Sequence, residues 1–67
     1  MNIGSRVLFS TRSGPCYGRI ASELVELSSI DGPLRCYAVR LEEGFFNPDE
    51  SIFVSVVMIH ETSLALA

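Results

Sequence analysis

The sequence predicts a small all-β barrel. Three observations carry that expectation. Arg35–Glu42 alternates strictly, with Tyr37, Val39 and Leu41 on one face and Cys36, Ala38, Arg40 and Glu42 on the other. A period of two is the mark of a half-buried strand. The remaining apolar runs are short and need a sheet to pair with, and turn signals separate them roughly every ten residues, the spacing of small sandwiches and barrels. The chain is 67 residues long, which gives one domain over residues 1–67 and leaves no room for a second.

The elements follow in order. Met1–Ser5 is a lead-in. Arg6–Thr11 is the first strand, with Val7 and Phe9 on one face and Arg6, Leu8 and Ser10 on the other. Arg12–Pro15 is a turn by composition, since Gly accepts positive φ and Pro interrupts pairing. The second strand begins at Tyr17 and places Ile20 in the core. Gly18 inside it signals a bulge or the close approach of another backbone. Ala21–Ser29 is open to two readings, a strand running toward a hairpin or a two-turn helix. The strand is favoured because Ser28–Pro33 is a strong turn signal with a strand directly after it.

Leu34–Glu42 is the third strand, and Glu42-Glu43-Gly44 is expected to turn the chain. Asn47 is placed to cap a single helical turn, with Pro48 at its first position and Glu50 at its third. Ser51–Ile59 is the fourth strand and the most apolar run. Ile52, Val54 and Val56 form one face; Phe53, Ser55 and Val57 form the other. Runs apolar on both faces are normally covered on both. The face carrying Phe53 and Val57 is expected to point outward, under a neighbouring subunit or under the loop that holds Phe45 and Phe46. His60–Thr62 reads as a short fifth strand, and residues 62–67 as an apolar tail that frays or docks on a partner.

A chain this short buries only about 60% of the surface its unfolded form exposes. Yet 48% of its residues are apolar, so part of that surface is expected to meet another copy. The charge is acidic: eight Asp and Glu against five Arg, no Lys, and a net charge of −3. Phosphate neutralisation supplies most nucleic-acid affinity, so this balance argues against a nucleic-acid partner unless Arg6, Arg12, Arg19, Arg35 and Arg40 cluster in space. Two cysteines, Cys16 and Cys36, and one histidine cannot complete a four-ligand metal site within one chain. Reduced thiols are the expectation for both. No secretory leader and no membrane-length apolar run are visible, so a cytoplasmic protein with no membrane partner is expected.

The order of elements, a short strand, a Gly-x-Ile strand, a long hairpin, a Tyr-x-Val-x-Leu strand and an apolar strand, resembles a five-stranded SH3-like barrel. Gly18-Arg19-Ile20 followed by Tyr37–Glu42 is similar to barrels of KOW and Tudor type. The chain also resembles the plasmid-borne type II dihydrofolate reductases. Gly4-Ser5-Arg6-Val7 is similar to their Gly-Asp-Arg-Val, Gly18-Arg19-Ile20 to their Gly-Gln-Ile, and Tyr37-Ala38-Val39 to their Tyr-Ala-Val. That resemblance implies a tetramer around a central pore that binds folate and nicotinamide. The chain departs from the family at the pore motif Val-Gln-Ile-Tyr. The matching segment is Ile52-Phe53-Val54-Ser55, where Phe53 stands for Gln and Ser55 for Tyr, and the family's anion-attracting Lys has no counterpart.

No catalytic constellation is present. His60 is the only imidazole, and Glu61 beside it would face the other way on a strand. Glu42-Glu43 and Asp49-Glu50 fall in turns, where carboxylates are usually just solvated. No Gly-rich phosphate loop is present and no cofactor is implied by the residues themselves. Tyr17, Tyr37 and Phe45 with Glu43 or Asp49 could form an aromatic cage for a methylated cation, but alternation places Tyr37 and Phe9 inward. The reading is therefore a homo-oligomeric binding module for a protein or small ligand. Its contact surface is expected at Phe45, Phe46, Phe53, Ser55 and Val57, with Tyr17 and Arg19 as polar participants. The alternatives are a pore-type enzyme and a nucleic-acid-binding barrel.

Overall fold

The computed structural model describes residues 1–67. Six strands and one 3₁₀ turn follow one another: β1 (Arg6–Thr11), β2 (Gly14–Ile20), β3 (Val25–Leu27), β4 (Leu34–Asn47), β5 (Ile52–His60), the 3₁₀ turn (Glu61–Ser63) and β6 (Ala65–Leu66). All pairings are antiparallel and all belong to one sheet. The sheet does not close. It runs β5-β4-β2-β1-β6, with β3 beside the start of β4. No helix is long and apolar enough to cross a membrane.

The 14-residue β4 organises the rest. Cys36 pairs with Val25 of β3 and with His60 of β5, and Val39 pairs with Ile20 of β2 and with Val57 of β5. One edge of β4 therefore takes β3 and then β2, while the other takes β5 along nearly its whole length. The expected alternation holds: Tyr37, Val39 and Leu41 are buried on one face. With Val7, Ile20 and Leu64, Tyr37 and Val39 make the core, and Phe9, Leu24, Val57 and Ile59 pack against it.

Four expectations are corrected. Glu42-Glu43-Gly44 does not turn the chain. Pairing with β5 stops at Arg40 and resumes at Phe45, so Leu41–Gly44 stand opposite Ser55 alone, as a bulge inside one continuous strand. A bulge bends a strand without ending it, and pairing on the far side of the bend outweighs the local turn chemistry. Asn47 caps no helix. Its Oδ1 accepts from the Asp49 N–H at 3.1 Å and its Nδ2 donates to Glu50 at 3.3 Å. The loop closes through Ser51 at φ +54°, because the register Asn47↔Ile52 leaves only a tight hairpin connection.

His60–Thr62 is not a separate fifth strand: His60 ends β5, and Glu61 and Thr62 begin the 3₁₀ turn. His60 caps the 3₁₀ turn: its Nδ1 accepts from the Thr62 N–H at 3.2 Å and lies 2.8 Å from the Thr62 hydroxyl. The apolar tail contains a strand paired to β1, although Leu66 stays exposed. The turn redirects the chain so that Leu64 is buried in the core, and Ala65–Leu66 pair with Leu8 and Val7. The last strand thus comes from residues read as a tail. The ambiguous stretch Ala21–Ser29 contains the three-residue strand β3 and no helix.

Gly18 marks a close approach rather than a bulge. The ladder Val7↔Gly18↔Leu41 is unbroken, and a Cβ at Gly18 would sit 2.6 Å from the Arg40 carbonyl oxygen. Two predictions follow from this packing. Gly18→Ala should lower stability by about 1–3 kcal/mol, since both the Arg40 backbone and the fully buried Val39 side chain stand in the way; an unchanged urea midpoint would show that β2 and β4 can separate freely. Leu64→Ala should cost about 2–5 kcal/mol, and a loss below 1 kcal/mol would return the C-terminal segment to the status of a tail.

Candidate interaction surface

Beyond the bulge, β4 and β5 continue as a two-stranded ribbon with little beneath it. Phe45 pairs with Val54, Phe46 with Phe53, and Asn47 with Ile52. Phe46 is 59% and Phe53 66% exposed, and Phe45 and Ile52 are also exposed. Gly44 makes this pairing possible: a Cβ there would meet the Phe53 ring at 2.5 Å and the Val54 carbonyl oxygen at 2.7 Å. Without a side chain at position 44, the ring lies over the β4 backbone.

The register reassigns the two faces of β5. Val57 lies opposite Val39 and Ile59 opposite Tyr37, so both point to the core. The expected outward position of Val57 is thereby corrected. Val56 and Met58 are outward and exposed, opposite Arg40 and Ala38. They were missed because parity along β5 alone does not say which face is inner; the buried face of β4 does. Ser55 is exposed and faces the bulge without a ladder partner. The exposed surface therefore has two faces: Phe45 and Ile52 at the ribbon, continued by Val56 and Met58 along β5, and on the Val57 side of β5 the pair Phe46–Phe53. The outer edge of β5 carries no neighbouring strand. A nine-residue apolar edge with no charged residue before His60 lacks the usual protections of an edge strand.

Tyr17 and Arg19 lie on the outer face of β2, since their neighbour Gly18 and then Ile20 are buried. The Arg6 guanidinium stacks 4.4 Å above the Tyr17 ring and donates to both carboxylate oxygens of Glu42, at 2.7 and 3.1 Å. Arg19 donates to the Gly4 carbonyl at 2.9 Å and so straps the lead-in to β2. Tyr17 and Phe45 do approach a common region. A cavity of about 270 Å³ is lined by Pro15, Cys16, Tyr17, Glu42 and Glu43. A neighbouring one of about 410 Å³ is lined by the hairpin residues Thr11, Arg12 and Ser13 with Cys16, Glu43, Gly44 and Phe45. Both share Cys16 and Glu43. Arg19 borders neither cavity.

Tyr37 is in the core, its hydroxyl accepting from the N-terminal amine at 3.4 Å, so the three-ring cage is not formed. Both cysteines are free thiols, Cys16 half-buried and Cys36 buried. No family model matches the chain, and no curated protein or solved structure is significantly similar to it.

The Arg6–Glu42 pair sets a pH dependence. Hydrogen bonds from Arg6 hold the Glu42 carboxyl below its ordinary value; the charges of Arg6 and Arg19 act in the same direction, and partial desolvation opposes them. A carboxyl depressed by folding stabilises the fold above its ordinary pKa, and that contribution is lost as pH falls through the lower folded value. Titration of the Glu42 carboxyl by NMR should show the depression, and Arg6→Gln should return it to the ordinary range. A Glu42 that titrates identically in both proteins would mean the pair does not persist in solution.

Proposed function

We propose that the protein is a self-associating binding module whose β4–β5 ribbon is its contact surface, built on an SH3-like barrel. The observation that carries the proposal is the exposed apolar surface of the β4–β5 ribbon, with Phe45, Ile52, Val56 and Met58 on one face and the cross-strand pair Phe46–Phe53 on the other. Isolated exposed apolar residues are ordinary, but a contiguous set on one ribbon marks an interaction site. Only eight of 67 residues are buried, so a single copy leaves much of its apolar content in water. A second copy covers that ribbon at no cost in new sequence and forms the symmetric contact commonest among oligomers. The topology supports the barrel reading: β1 lies between β2 and the last strand β6, a 3₁₀ turn precedes that strand, and the long central strand bends at a bulge.

Reductase chemistry is not carried into the proposal. Where the type II enzymes place a pore-lining Gln this chain has Phe53, which has no amide to offer a ligand. The proposal is tested by solution mass. Light scattering should give a multiple of the 7.4 kDa chain. Phe53→Asp should reduce it to a single chain while the far-ultraviolet circular dichroism stays that of a β protein. A wild-type monomer at millimolar concentration would contradict the proposal, and a Phe53→Asp variant of native mass would remove Phe53 from the contact.

A further inference from the structure

On the outer face, away from the ribbon, three arginines stand in one transverse row. Arg6 is directly opposite Arg19, and Arg19 is directly opposite Arg40. All three are exposed, and the residues flanking them (Val7, Gly18, Ile20, Val39 and Leu41) are buried, which puts the guanidinium stems on the same side of the sheet. Cross-strand partners on one face are near neighbours, and like charges so placed are destabilising. This row is therefore a local cost in a chain whose net charge is −3.

The row is only partly neutralised from within. Arg6 is paired with Glu42. Arg19 reaches a backbone carbonyl and no carboxylate. Arg40 makes no side-chain hydrogen bond and no ion pair, in contrast to Arg35, which meets Glu61 at 2.9 Å and Glu26 at 3.8 Å. Two adjacent guanidinium groups are thus left with donors to spare. Their planar forks suit the oxygens of a carboxylate or phosphoryl group. On the other side of Arg40 the same row continues into Val56, with Met58 and Ala38 alongside. Val56 and Met58 are exposed. The row therefore passes from three cations to an apolar floor.

We propose that Arg19 and Arg40 bind the anionic head of a small organic oxyanion, a carboxylate or phosphoryl compound, whose apolar body lies on Val56 and Met58. Arg6 and Glu42 fix the far end of the row and hold Tyr17 beside it. From β1 to β4 is two interstrand spacings, about 10 Å, a width for one or two oxyanion groups rather than for a track of phosphates. The negative charge of the whole chain disfavours a polyanion at long range. This site goes beyond the self-association argued above and does not require it; Val56 and Met58 belong to both surfaces, so a second copy seated there competes with the ligand's apolar body, whereas Arg19 and Arg40 lie outside the ribbon.

The test is a titration of the full chain with phenyl phosphate, followed through the arginine Nε–H and methyl signals by NMR, with inorganic phosphate as the headgroup alone. Saturable shifts are expected at Arg19 and Arg40 for both probes, with Val56 and Met58 methyl shifts and tighter binding for phenyl phosphate only. Arg40→Gln, which breaks no hydrogen bond or ion pair within the fold, should weaken phenyl phosphate at least tenfold; Arg12→Gln, at the hairpin tip, should leave it unchanged. The absence of saturable shifts would overturn the proposal. So would equal weakening by Arg12→Gln, which would reduce the effect to net charge. Retardation of a single-stranded oligonucleotide at the same protein concentration, lost in Arg40→Gln, would replace the small oxyanion with a nucleic acid. A monomeric wild type that still binds phenyl phosphate would sink the self-association reading and leave this one standing.

Discussion

The structure depends on one strand being paired along both edges. β4 supplies the partners for β3 and β2 on one side and for β5 on the other. Between its β3 and β2 pairings, β4 is completed by the loop: the Ala21 N–H donates to the Ala38 carbonyl at 2.8 Å and the Ala38 N–H to the Ser22 hydroxyl at 3.0 Å, so Cys36–Arg40 is bonded along both edges. Everything else is placed relative to it. β2 approaches closely because Gly18 has no side chain. β1 follows β2 through the two-residue loop Arg12-Ser13, with Gly14 at φ +111°. The C-terminal strand then caps β1, and Leu64 closes the core.

The same constraint explains why so much apolar surface is left outside. β4 is longer than the core it crosses. Its first half lies over Val7 and Ile20, but its second half, past the bulge, carries Phe45 to the cavity beside the β1–β2 hairpin tip and Phe46 out to solvent, and β5 follows it there. The ribbon is thus a by-product of strand length, and it lies past the core, with Phe46 and Phe53 largely exposed. In a chain with so few buried residues this is a large share of the apolar content. Contiguous apolar surface of that kind marks an interaction site, and in the proposed assembly the absence of charge on the ribbon strands makes a second copy a compatible cover.

Alternation was the most legible feature of the sequence. Tyr37, Val39 and Leu41 on one face, Val7 and Phe9 on another, and Ile20 as a core residue all follow from a period of two. Three things were not legible from local chemistry. Glu42-Glu43-Gly44 has the composition of a turn, but pairing resumes beyond it, and only the long-range register shows this. The Ser-Leu-Ala-Leu-Ala tail carries no strand signature, and β6 exists because β1 offers an unpaired edge. The faces of β5 look equally apolar, so which is inner is decided by Val39 and Tyr37 across the ladder. Among the expected contact residues, Phe45, Phe46 and Phe53 are exposed, Phe46 and Phe53 as a cross-strand pair and Phe45 on the other face, whereas Val57 is turned inward. The arginine row was foreseeable only as a cluster of scattered positions, since its alignment depends on two registers at once.

The central claim is that the outer edge of β5 and the ribbon it ends in are covered by another copy. Amide hydrogen exchange across Ile52–Ile59 tests it directly, because half of these N–H groups point away from β4 and have no partner within the chain. Measured from micromolar to millimolar protein, their exchange should slow as concentration rises, while amides of the β1–β2 hairpin keep a constant rate. Outward amides of β5 that exchange at the same fast rate at every concentration would contradict the account and leave the ribbon open to water.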